Sequence, residues 1–302
     1  MKWIYIFIVC SFCYTQTDTE IYLFDLQKVE IVHRLSDGTH QIENSYILEN
    51  GKNITNRNGY DNQPYFSLDS KHVYYSSIRG EKNSDIYRYS LVNNSTQQIT
   101  TSEEAEYSPT ILNDKNDFSV VRVENDKKQR MWKFSEGKAQ VVAEQIDQIG
   151  YHCWLDNTTI AVFRIEKTMN LKLIDVKDGK MQHATNNIGR ALFLNPNDNK
   201  LLFVNKENEK QFTICKLLNY KEKISIEKIT DVVGKGEDFA CTITGKIIMA
   251  SGNKVYIRQQ HKWSLIFDGK NEFQGTFNRI AISPDNTKIC IVFEKNIPKE
   301  TN

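Results

Sequence analysis

Ile280-Ala281-Ile282-Ser283-Pro284-Asp285-Asn286-Thr287-Lys288-Ile289-Cys290-Ile291 reads as a strand, a tight polar turn and a second strand. Its apolar residues alternate along each arm, and Pro, Asp and Asn cluster between them, as a hairpin requires. The arrangement returns in Pro64-Tyr65-Phe66-Ser67-Leu68-Asp69-Ser70-Lys71-His72-Val73-Tyr74 and in Pro109-Thr110-Ile111-Leu112-Asn113-Asp114-Lys115. More degenerate copies begin at Cys153, Ala191 and Phe239. With Phe66, Ile111, Leu155, Phe193, Cys241 and Ile282 as equivalent points, the gaps are 45, 44, 38, 48 and 41 residues. A strand-built repeat of that period is the signature of a β-propeller, here with six blades.

Working outward, each hairpin is followed by a third strand of aromatic and β-branched residues, as in Asp85-Ile86-Tyr87-Arg88-Tyr89 and Lys254-Val255-Tyr256-Ile257. A shorter edge strand comes next, as in Gln98-Ile99-Thr100 and Trp263-Ser264-Leu265-Ile266. Blades are therefore four-stranded, and the fold class is all-β. The sixth repeat supplies two strands before the chain ends. Ile21-Tyr22-Leu23-Phe24-Asp25-Leu26 reads as its missing third strand, and Ile54-Thr55 sits where the outer edge belongs. The N-terminal strands are thus expected to complete the last blade, which removes an exposed sheet edge. Residues 29–50 remain as an elaborated loop or an extra hairpin.

The 302 residues carry 39 basic and 38 acidic side chains, for a formal charge of +1. The charges are intermixed, which excludes a basic face for nucleic acid. Residues 1–15, with Lys2 ahead of an apolar core from Trp3 to Cys13, read as an export signal too short to remain a transmembrane helix. Residues 16–302 then form a single propeller domain. Cys153, Cys215, Cys241 and Cys290 remain, with no CxxC or CxH spacing, and read as small buried hydrophobes. Neither a metal nor another cofactor is expected.

The inner strand of each blade lines the axial channel. The residue just before each position equivalent to Pro64 gives a polar ring: Gln63, Ser108, His152, Arg190, Asp238 and Arg279, with Asn62, Tyr107, Tyr151, Glu237 and Asn278 beside it. This ring is the candidate ligand-binding mouth. Two arginines against one aspartate leave one positive charge, which suits a carboxylate or phosphate guest and opposes a bound divalent cation. A peptide carboxylate or acidic side chain is the natural guest.

The hairpins resemble the PD40, or WD40-like, repeat of TolB-type propellers, whose core runs P-x-F-S-P-D-G-K. Ile282-Ser283-Pro284-Asp285-Asn286 and Pro64-Tyr65-Phe66-Ser67-Leu68-Asp69-Ser70-Lys71 match best, with Asn286 and Ser70 in place of the turn glycine. The resemblance spans residues 20–294. The export signal with Gln16 at its junction, and the Asp61-Asn62-Gln63-Pro64 approach, are similar to envelope proteins of Bacteroidetes-type bacteria. The resemblance implies a periplasmic or secreted six-bladed propeller that binds a protein or peptide of the envelope; it does not imply an enzyme. The competing reading is a metal-dependent hydrolase of the lactonase kind, which would draw on Glu106, Asp61, Asp238 and His152 at the channel. A prolyl-oligopeptidase-like peptidase is disfavoured, since no GxSxG elbow occurs.

Overall fold

The computed structural model describes residues 18–80, 83–115 and 117–295. The export-signal reading of residues 1–15 lies outside them. Strands β1 (Thr19–Arg34) and β2 (His40–Asn53) come first. Blade 1 follows as β3 (Tyr60–Phe66), β4 (His72–Ile78), β5 (Ser84–Ser90) and β6 (Thr96–Gln98). Blade 2 is β7 (Ala105–Ile111), β8 (Phe118–Val123), β9 (Gln129–Ser135) and β10 (Lys138–Val141). Blade 3 is β11 (Ile149–Trp154), β12 (Thr159–Ile165), β13 (Met169–Asp175) and β14 (Met181–Thr185). Blade 4 is β15 (Ile188–Asn195), β16 (Lys200–Asn205), β17 (Thr213–Leu218) and β18 (Ser225–Asp231). Blade 5 is β19 (Phe239–Cys241), β20 (Ile247–Ser251), β21 (Lys254–Gln259) and β22 (Lys262–Asp268). The last two strands, β23 (Gly275–Ile282) and β24 (Lys288–Lys295), pair with β1 and β2 in the order β23-β24-β1-β2, the sixth blade.

The first and last described strands therefore share a blade. β1 runs antiparallel to β24 from Thr19↔Glu294 to Asp25↔Lys288. Its start is also fastened to blade 1: Thr19 N donates to Gly59 O at 3.0 Å, and Thr19 Oγ1 donates to Asp61 O at 3.0 Å. One expectation needs correction. The outer edge of this blade is β2, which pairs with β1 from Tyr22↔Asn53 outward, and Ile54-Thr55 is the bend that follows it. Residues 29–50 belong to the same ladder, so the leftover segment is one long hairpin. The sequence hides this because its polar residues look like loop.

The core is distributed. Among the described residues, six apolar clusters lie one between each pair of neighbouring blades, as in Leu155, Phe163, Leu171, Ile188, Phe203 and Leu217 between blades 3 and 4. Strand alternation makes this work, since one face of each strand meets each neighbour. β1 shows it best: Ile21 and Leu23 pack toward blade 1, while Tyr22, Phe24 and Leu26 pack toward blade 5. The repeated turns are structural. Ser283 Oγ donates to Asp285 Oδ1 at 2.6 Å, and Ser67 Oγ does the same to Asp69 Oδ1. Asn286 and Ser70, at the glycine position of the motif, have φ of 62° and 58°. Ser70 has a second task, since its Oγ accepts Asp285 N at 3.1 Å and ties the last blade to the first. Cys215, Cys241 and Cys290 are buried, Cys153 is partly so, and all four are free thiols.

Candidate functional site

Every long inner strand carries a β-bulge at about the same height. The register shifts fall between Asn62 and Tyr65, Tyr107 and Thr110, Ile149 and Tyr151, Ile188 and Leu192, and Asn278 and Ile280. Three of the extra residues, Gln63, Ser108 and Arg279, sit at φ of 57°, 56° and 46°. A non-glycine residue in that region costs about 1–2 kcal/mol. The same strained geometry at equivalent places in three blades turns the side chains of these strands at one level of the channel.

That level closes one end of an axial cavity of about 420 Å³. Gln63, Ser108, Tyr151, His152, Arg190, Asp238 and Arg279 border it there, and the walls above are apolar: Tyr65, Leu192, Leu194, Phe239, Ile280 and Ile282. Leu68 and Ile243, 49% and 58% exposed, form the open rim with Asn286. The polar ring is thus the floor of the cavity and not its mouth, because the bulges fall partway along each strand.

Asp238 is the centre of the floor. Arg190 grips it through Nε, at 3.0 and 3.2 Å from the two carboxylate oxygens, and through Nη2. Arg279 Nη1 lies 3.6 Å from Asp238 Oδ1 on the other side. Arg279 also reaches blade 3, where Nη2 donates to Tyr151 Oη at 2.7 Å and the guanidinium covers the Tyr151 ring at 4.6 Å. Burial alone would raise the Asp238 carboxyl, but Arg279 and Arg190 outweigh it and hold the group below its ordinary value. Glu237 orients the strand by accepting Arg190 N at 3.2 Å while its other oxygen takes Lys206 Nζ at 2.6 Å.

Not every expected member lies on this floor as a free group. Gln63 is turned sideways, its Oε1 accepting Ser76 Oγ and Ser108 N, both at 2.8 Å. Ser108 Oγ is buried with no hydrogen-bond partner among the described residues. His152 is displaced by one residue. Pairing Tyr151 with Phe163 and His152 with Val162 puts Tyr151 at the ring position. The His152 imidazole instead wedges between blades 2 and 3, Nε2 2.7 Å from Ser119 Oγ. Blade 3 has a shorter turn and a bulge at Gly150, so Tyr151 and His152 both border the cavity and Tyr151 makes the contact to Arg279. Tyr151 is visible in the sequence as an aromatic beside the ring but carries no signal there for its reach to Arg279, 128 residues away.

Ser119 Oγ also accepts Trp154 Nε1 at 3.0 Å, so the one hydroxyl joins both rings. Burial pushes the imidazole from 6.5 down to about 4. As pH falls through 6.5 the unfolded imidazole takes up a proton and the folded one does not. The protein therefore loses about 2 kcal/mol of stability between pH 7 and pH 5 through this group. Denaturant midpoints of wild type and His152→Gln at the two pH values check it, and the variant lacks this component.

The four residues a lactonase-like metal site would draw on are dispersed. Asp61 pairs with Arg57, whose Nε is 3.0 Å from Oδ2, and Glu106 takes Arg122 Nη2 at 2.8 Å. Asp238 is held by two arginines and His152 by Ser119. Among the described residues, no group of three or more His, Cys, Asp or Glu side chains could hold a metal ion.

No family profile matches this sequence, and no curated protein is similar to it. Solved structures do share the fold. A structure assigned to TolB of Agrobacterium tumefaciens has a TM-score of 0.65 at 13% identity, covering 93% of this chain and 99% of that one. TolB of Acinetobacter baumannii gives 0.56 at 12% identity, over 91% of this chain and 65% of that one. A gluconolactonase of Xanthomonas campestris gives 0.58 at 8% identity, over 78% and 86%. At these identities the likeness establishes the propeller architecture, which hosts many activities.

Proposed function

We propose that the chain is an exported β-propeller of the cell envelope that holds a protein or peptide partner in its axial cavity, through an acidic group of that partner. The observation that carries this reading is the floor itself: two arginines converge on one aspartate, leaving one positive charge beneath an apolar wall. Asp238 presets both guanidiniums, so a ligand carboxylate meets donors that are already oriented. The cavity's volume suits one or two side chains or a chain terminus. Its apolar walls and the exposed Leu68 and Ile243 at the rim favour a partner with aliphatic or aromatic residues next to the acidic one. The structural likeness to TolB is compatible with an envelope module of this kind.

The test is a panel of short apolar peptides with a free or an amidated C-terminus, titrated by fluorescence anisotropy, together with a pull-down from the native envelope. Free-carboxylate peptides are expected to bind at least tenfold more tightly than their amides. Equal affinity for both forms would move the site off this floor.

A further inference from the structure

The hairpin of β1 and β2 runs well past blade 6. β1 leaves β24 after Asp25↔Lys288, yet its ladder with β2 continues without a break from Leu26↔Leu48 to Arg34↔His40. Beyond the base it is an exposed two-stranded arm, its turn set by Gly38 at φ 85° and by Asp37 Oδ1 accepting Thr39 N at 2.9 Å. Val32 and Ile42 face each other across it, 58% and 59% exposed, with Ile31 and Leu35 exposed nearby. A free arm of this kind presents unpaired main-chain groups and invites another strand.

The hydrogen bonding of the two strands shows which edge is open. Leu26 N donates outward to Thr287 O at 2.8 Å, and Leu35 N donates inward to Thr39 O at 2.8 Å. With period-two alternation between them, Lys28, Glu30, Val32 and Arg34 point their N–H and C=O groups away from β2, to the free side of β1. The edge of β2 is different, since Asn44 O there already accepts Lys246 Nζ at 2.6 Å and Gln259 Nε2 at 3.0 Å.

We infer that the partner of this edge is a second copy of the chain, with two β1 strands joined antiparallel about a two-fold axis at Val32. Cross-strand charge favours that register over those centred on residues 30, 31, 33 and 34. With Val32 opposite itself, Glu30 of each copy faces Arg34 of the other, and Val29 faces Leu35. Glu30 and Arg34 form no ion pair among the described residues. Centring the axis on Glu30 or Arg34 sets like charges against each other, and centring it on Ile31 sets Lys28 against Arg34. Centring it on His33 leaves Glu30 opposite Ser36 and Arg34 opposite Val32. Registers that bring outward residues opposite inward ones lack hydrogen-bond partners. In the selected arrangement Ile42, Val32 and their two copies form one apolar row across a four-stranded sheet. The strip is smaller than a standard interface, so association is expected in the micromolar range.

Sedimentation velocity on the mature chain, from about 1 to 200 μM, tests this. Wild type is expected to pass from monomer to dimer, and Val32→Pro to stay monomeric, since Val32 N–H is free in the single copy and an edge proline spares the fold. Glu30→Arg and Arg34→Glu are each expected to weaken self-association at least tenfold. Mixed together they should form a heterodimer, because the two cationic positions of one variant then meet the two anionic positions of the other. A wild type monomeric throughout overturns the inference, as does a dimer indifferent to the charge exchange. A different polypeptide seated on the arm of a monomeric chain also overturns it.

Discussion

A chain lacking residues 20–26 loses its single cooperative unfolding transition. The segment is the third strand of blade 6, and it serves two interfaces at once. Ile21 and Leu23 face blade 1 beside Val73, Tyr75, Cys290 and Val292, and Phe24 and Leu26 face blade 5 beside Ile257, Phe273, Phe277 and Phe293. Ile21, Phe24 and Leu26 are all almost fully buried. Losing one such side chain costs about 2–5 kcal/mol, and a whole domain is stable by about 5–15 kcal/mol, so removing the strand exceeds what the fold can lose. The deletion also leaves β24 as an open edge. Calorimetry and near-ultraviolet circular dichroism are the measurements, and a truncated chain melting as sharply and as high as wild type would refute ring closure by the two termini. Phe24→Ala gives a graded version. Its ring packs on Phe267 at 5.1 Å and Phe273 at 6.4 Å between centroids, and its loss is expected to cost about 3–5 kcal/mol.

The fold was largely legible because hairpin repeats are local. The alternation of Ile280, Ile282, Ile289 and Ile291 and the Ser-x-Asp turn between them are read within one stretch, and their return at a steady interval gives the blade count. β1 was legible for the same reason, as a dense apolar run. β2 was not, since its outward half is polar and its pairing with β1 depends on register, which a sequence states weakly when neither face is buried. The site was partly legible. Polarity just ahead of an apolar strand identified Arg190, Asp238 and Arg279, which the structure brings together, and Gln63 and Ser108, which it pairs with each other. Which side chain leaves the strand axis is decided by a bulge, and a bulge shifts the count by one. That is why Tyr151 joins His152 at the cavity and makes the contact to Arg279.

The same bulges decide what the arginines do, and this alters the expected behaviour of their removal. Convergence on a ligand alone would let Arg190→Ala/Arg279→Ala spare the fold. Asp238 is 6% exposed, however, and its charge is tolerated because the two guanidiniums flank it. Removing both leaves an uncompensated buried carboxylate, which costs about 3–5 kcal/mol, and the lower end applies because Arg190 is itself a third exposed. Adding Asp238→Asn removes the stranded charge, so the triple variant is expected to recover most of that loss. Acid separates the variants further. In wild type the Asp238 carboxyl is held below its ordinary value of 3.8, so its contribution is complete above that pH and fades as pH falls through the lowered value. In the double variant burial acts alone and raises the group, so that variant gains relative stability as pH falls, and the gap to wild type narrows. Ligand binding follows a different rule, since neither the double nor the triple variant offers a cation on the floor. The triple variant is thus expected to fold like wild type and to lose the preference for a free peptide carboxylate. Urea midpoints at pH 7 and pH 4, read beside the peptide titration, decide the matter. A triple variant that still distinguishes acid from amide would take the site away from Arg190 and Arg279.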